Sequence, residues 1–74
     1  MTDAQVKALE IRALEMLELH SGYMQLDSFR ARCPAMVENR IREQELVRDL
    51  ASNSGNLYLV WTPAGRKALE EARR

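Results

Sequence analysis

The stretch Leu57-Tyr58-Leu59-Val60-Trp61-Thr62-Pro63-Ala64-Gly65-Arg66-Lys67-Ala68-Leu69 holds the two sharpest local signals in the chain. Residues 57–61 are leucine, aromatic or β-branched and favour a strand. Tyr58 and Trp61 alternate across it and so face opposite sides. Trp61 is expected to plug the core under a hairpin, while Tyr58 either stands exposed or covers the base of a neighbouring helix. At Thr62-Pro63 the pattern switches to a helix start. The threonine hydroxyl can accept a first-turn N–H, and proline's fixed φ and missing N–H suit the first helical position. This helix is expected to reach about Ala72, with Arg73-Arg74 at the negative end of its dipole.

Working back toward the N-terminus, Asn53-Ser54-Gly55-Asn56 is a cluster of turn residues, and Leu46–Leu50 would be the first strand of a hairpin closing on 57–61. Helical continuation through 35–50 competes for that first strand. Pro34 disfavours αR at Cys33 and suits the first turn of a helix from about Ala35 to Gln44. Within it Val37 and Ile41, four apart, point inward with Met36 at the margin, and Glu38, Asn39, Arg40, Arg42, Glu43 and Gln44 form the exposed side. Asp27 or Ser28 can cap a short helix to about Arg32, anchored by Phe29. Tyr23–Leu26 is long enough only for an extended bridge or a single edge-strand pairing.

The chain opens with Thr2 and Gln5 at capping-box spacing, followed by good helix formers to about His20. Ser21-Gly22 is a stop, with Gly22 suited to the left-handed cap. Val6, Leu9, Ala13, Met16 and Leu17 share a core face. Lys7, Ile11, Leu14 and Glu18 lie nearly opposite. That second stripe is either an oligomer contact through Ile11 and Leu14 or the far side of a wide buried helix. Glu10, Glu15 and Glu18 are expected to be solvated.

Seventy-four residues, 46% of them hydrophobic and 30% charged, fit one domain spanning 1–74. Eleven basic against eleven acidic residues cancel, which excludes a strongly basic nucleic-acid-coating protein and an acidic disordered tail alike. A single cysteine forms no internal disulfide, so a reducing, cytoplasmic setting is expected. No membrane span or signal peptide is expected. His20 and Cys33 are the only soft ligands and Gly-rich phosphate loops are lacking, so neither catalysis nor a metal or other cofactor is expected. His20 reads as an ordinary residue near a helix end. Cys33 reads as packing at a turn between helices.

The order helix, bridge, short helix, helix, hairpin, helix resembles a winged helix-turn-helix domain. Residues 57–69 look like the second wing strand leading into the Leu-Thr-Pro-x-Gly-Arg-x-x-Leu helix start common in MarR-like and PadR-like regulators, with Trp61 in the place of the usual leucine. Glu38 through Val47 is similar to the end of a recognition helix followed by entry into a strand, and Glu45 stands where such proteins often carry a turn glycine. The resemblance implies an α+β, mainly helical fold: three helices, a two-stranded β-hairpin wing and a C-terminal helix. It further implies that residues 35–44 read the DNA major groove. Asn39, Arg40, Arg42 and Gln44 are then the candidate base readers. Arg30 and Arg32 would approach phosphates, Arg48 belongs to the same set of DNA- or partner-binding candidates, and Asn53, Ser54 and Asn56 at the wing tip would touch the flanking backbone. Single-cysteine redox sensors among MarR-like proteins give Cys33 an alternative role.

Two functions follow. The first is a small transcriptional regulator that binds double-stranded DNA, expected to be a homodimer. The second is a winged-helix protein-interaction module, an adaptor or inhibitor of a larger complex such as phage-encoded winged helices can be. The second rests on the zero net charge, the acidic residues of the recognition helix at 35–44 and the Ile11/Leu14 stripe. Over residues 30–48 five arginines face three glutamates, a small excess for holding phosphates.

Overall fold

The computed structural model describes residues 2–74. Its elements are α1 (Asp3–Leu19), β1 (Tyr23–Gln25), α2 (Leu26–Arg30), α3 (Ala35–Glu43), β2 (Val47–Ala51), β3 (Leu57–Trp61) and α4 (Pro63–Ala72). The architecture is α+β and mainly helical. The helices lie on one face of an antiparallel three-stranded sheet of order β1-β3-β2. The expected two-stranded hairpin therefore has a third member. Tyr23, Met24 and Gln25 pair with Val60, Leu59 and Tyr58, so the short extended bridge is an edge strand. Among the described residues no helix is long and apolar enough to cross a membrane.

α1 begins with the full capping box: Gln5 N donates to Thr2 Oγ1, and Thr2 N donates to Gln5 Oε1. Its end differs from expectation. Ser21, at φ +65°, takes the left-handed position, with Ser21 N bonded to Glu18 O and Gly22 N to Leu17 O. Gly22 also has positive φ, and a Cβ there would overlap the indole of Trp61. The Ile11/Leu14 stripe is no free surface either. Leu14 is wholly buried and Ile11 half-buried against the core, because α3 and α4 both pack on α1. The oligomer contact assigned to Ile11 and Leu14 is thereby corrected to core packing.

The core joins Ala13, Leu14 and Leu17 of α1 with Phe29, Val37 and Ile41, Val47 and Leu59 of the hairpin, and Leu69 of α4. Trp61 is half-buried at its margin rather than a central plug, and the Arg66 guanidinium lies 5.9 Å from its ring centroid. Strand parity leaves the outer sheet face, with Tyr23, Tyr58, Arg48 and Leu50, without a covering helix.

Helical continuation past residue 44 is excluded by the backbone. Glu45 sits at φ +58°, Glu45 N bonds to Arg42 O and Leu46 N to Ile41 O, and the chain leaves α3 in a new direction. At its other end α3 has Pro34 as the N-cap, one position before the first turn. The start of α4 docks on this exit. Thr62 Oγ1 donates to Glu45 O at 2.7 Å and accepts from Gly65 N at 3.1 Å, while Thr62 N donates to Leu46 O. Gly65 is buried so close to the Leu46 carbonyl that a Cβ would overlap it.

Two substitutions at this junction should act in opposite directions. Gly65→Ala forces α4 off backbone that cannot yield and should cost about 1–3 kcal/mol or more. Glu45→Gly relieves a left-handed non-glycine residue and should add about 0.5–1 kcal/mol. Urea unfolding of both variants checks the pair.

Candidate functional site

The exposed side of α3 and its surroundings hold most of the polar residues singled out above, and their donors can be counted one by one. Val37 and Ile41 mark the buried face of α3. Positions 38 and 42 flank it toward α2 and β2, positions 40 and 44 flank it toward α1, and Ala35, Met36, Asn39 and Glu43 face solvent.

Each flank is anchored by a carboxylate that was expected to be exposed. Glu38 has a side chain only 6% exposed; it accepts from Arg30 Nε at 3.0 Å, Arg30 Nη2 at 3.1 Å and Arg42 Nε at 2.9 Å. Glu10 on α1, 1% exposed, accepts from Arg40 Nε at 3.3 Å and from the Gln44 amide. The burial of both corrects the reading of Glu10 and Glu38 as solvated. Glu15 and Glu18 do lie at the surface, where both pair with Arg73.

The arginines differ in what they have left to offer. Arg42 has all three nitrogens engaged, Nε on Glu38 and both Nη on Asp49 at 2.9 Å, and is 27% exposed. Gln44 spends its amide N–H groups on Glu10 and on Arg40 O. Both are tied into the scaffold, so neither has the free donors of a base reader. Arg30, 54% exposed, keeps Nη1 free of these bonds, and Arg40, 48% exposed, keeps both Nη groups free. Asn39 is exposed with no side-chain hydrogen bond to another described residue.

The remaining candidates scatter. Arg32 has no carboxylate partner among the described residues, but it lines clefts shared with α1 and β1 and lies away from the Arg30–Glu38 pair. Arg48 is exposed on the outer face of the sheet, across from Val60. At the hairpin tip, Ser54 and Asn56 bond to Ser52 and to each other and build the turn, leaving Asn53 unbonded. Cys33 is buried, with Sγ 3.6 Å from Pro34 O. Burial first, and then the nearby Glu38 charge, push its thiol up, against the lowered pKa of a reactive thiolate. Among the described residues no group of three His, Cys, Asp or Glu could hold a metal ion.

The two buried carboxylates are the residues that sequence reasoning missed. Their signal was present, though faint. Glu10 falls four positions after Val6 and four before Leu14, on the buried arc of α1, and Glu38 sits four before Arg42. The chain matches no protein-family model, and no curated protein or solved structure matches it.

The Arg30 hydrogen bond, reinforced by Arg42, holds the Glu38 carboxyl below its ordinary 4.5 against the opposing effect of burial. A carboxyl lowered on folding stabilises the fold above its unfolded value, and that stabilisation is lost as pH falls through the folded one. Glu38→Gln should therefore lower Tm at neutral pH and give a shallower loss of stability below pH 4.5 than wild type. Asp49 and Glu18, held low by Arg42 and Arg73, keep part of the acid limb in both proteins. Thermal melts from pH 7 to 3 check this.

Proposed function

We propose that the chain is a winged-helix DNA-binding protein that presents α3 to the major groove, with Asn39 and Arg40 as its base-reading residues. The observation that carries this reading is the donor arrangement on α3. A buried Glu10 fixes Arg40 through Nε alone and leaves both Nη groups, the fork that suits guanine or phosphate, toward solvent. Asn39, beside it on the exposed face, has the amide geometry that suits adenine. Arg30 adds a partly free guanidinium from α2. An arginine held by a carboxylate has lost much of its rotamer freedom before binding, which lowers the entropic cost of a contact. The element order, with an α2–turn–α3 unit followed by a hairpin, supports the same reading. A single buried thiol suits a cytoplasmic regulator.

The interaction-module reading is favoured by one feature of the same face. Met36 is a large exposed apolar residue on α3, and the neighbouring Glu43 is acidic. A protein surface would accept both more readily than a phosphate backbone.

Fluorescence anisotropy against a random-sequence duplex pool, at low and moderate salt, tests the proposal. Saturable binding that weakens with salt is expected. Arg40→Ala should reduce the salt slope by about 1 if its contact is a phosphate, or cost about 1–3 kcal/mol at one base position if it reads guanine. Arg42→Ala should instead lower stability. No binding at micromolar protein in low salt would overturn the DNA reading in favour of the interaction module.

A further inference from the structure

We propose that the cleft bounded by the end of α1, β1, α2 and β3 is a binding site for a nucleoside monophosphate, with its base against Tyr23 and Tyr58 and its phosphate on Arg32. The cleft has a volume of about 430 Å³, within the range of small-ligand sites, and lies apart from α3. Its chemistry divides into two ends. One wall is the Tyr23–Tyr58 pair, edge to face with ring centroids 6.0 Å apart, and Tyr23 is exposed on the uncovered side of the sheet. Exposed aromatic rings offer stacking surface to any base. Gln25, directly across from Tyr58 in the β1–β3 register and two residues along the strand from Tyr23, carries an amide with both a donor and an acceptor for a base edge.

The other end is a set of donors. Arg32 is the arginine of the α2–α3 turn, and no carboxylate satisfies it among the described residues, in contrast to Arg30, Arg40, Arg42 and Arg73. A guanidinium fork matches two oxygens of a phosphate. Ser28 adds a hydroxyl that makes no hydrogen bond to another described residue. His20 borders the same end, but its Nδ1 proton is given to Met16 O at 2.9 Å, so in the neutral ring Nε2 is an acceptor and adds no N–H to the set. None of the residues lining the cleft is an aspartate or glutamate, although the chain has eleven of them. An anion entering here meets donors and no opposing carboxylate. Two donors of this kind, the Arg32 guanidinium and the Ser28 hydroxyl, suit the terminal oxygens of a phosphate monoester better than a single carboxylate would.

The test is an NMR titration of the isotope-labelled full chain with AMP, and with adenosine and inorganic phosphate separately. AMP should shift the signals of Gln25, Ser28, Arg32 and Tyr58 to saturation, and each half of the molecule alone should bind at least about tenfold more weakly. Arg32→Gln, at an exposed position, should weaken AMP about tenfold while leaving the remaining spectrum unchanged. Tyr58→Leu should weaken AMP and adenosine but not phosphate. Absence of saturable shifts at millimolar AMP, or shifts confined to α3, would overturn the site. Phosphate binding as tightly as AMP would overturn the nucleotide assignment. Because Arg32 is no part of the Asn39–Arg40 surface, failure here and failure of DNA binding are distinguishable.

Discussion

The carboxylate of Glu38 is the point at which three elements are fixed to one another. It takes Arg30 from α2 and Arg42 from its own helix, and Arg42 passes the link on to Asp49 of β2. Burying a carboxylate is costly, and its ion pairs return that cost only when the geometry is good and the oxygens are satisfied. Both Glu38 oxygens are satisfied here, and no buried side-chain polar atom among the described residues is left without a partner. The gain is in definition more than in net stability. Val37 and Ile41 would bury an apolar face of α3 at several rotations, whereas the Glu38 and Glu10 networks on its two flanks admit one.

The second constraint acts on backbone. The exit of α3 through a left-handed Glu45 and the entry of α4 through Thr62 share a single junction, with the threonine hydroxyl bonded to the Glu45 carbonyl. Gly65 lets the first turn of α4 close on Leu46, where any side chain would collide. This contact sets the end of the hairpin against the helices. It also makes the 57–69 stretch more than a strand followed by a helix, because its Thr and Gly serve contacts about twenty residues away.

These constraints sort the polar surface. An arginine whose three nitrogens all serve the fold, as in Arg42, differs from Arg40, whose Nε alone does. The first holds β2 to α3, and the second carries a pre-set guanidinium facing outward. A count of charges along the chain treats the two alike. The zero net charge likewise conceals a division between Arg30, Arg40 and Arg42, spent on buried carboxylates, and the five arginines, Arg12, Arg32, Arg48, Arg66 and Arg74, that meet no carboxylate among the described residues. Arg48 stands on the outer sheet face, and Arg32 lines the cleft beside Tyr23 and Tyr58.

What the sequence by itself determined was local. The capping box at Thr2 and Gln5, the Thr62-Pro63 helix start, the turn at 53–56 and the strand at 57–61 are each set by backbone preferences within a few residues, and each is where the pattern placed it. The core positions of α3 were legible for the same reason, since Val37 and Ile41 repeat at helical spacing. Tertiary structure alone decided the rest. Leu14 became core because α1 is packed on two sides, Tyr23–Gln25 became a strand because β3 had an edge to offer, and Ser21 took the left-handed turn that Gly22 was suited to. Glu10 became a buried hub because Arg40 comes to 3.3 Å from it, and Glu38 became one because α2 brings Arg30 beside the Arg42 of its own helix. A carboxylate's burial depends on whether such a partner arrives, and helical periodicity carries no information about a residue thirty positions away.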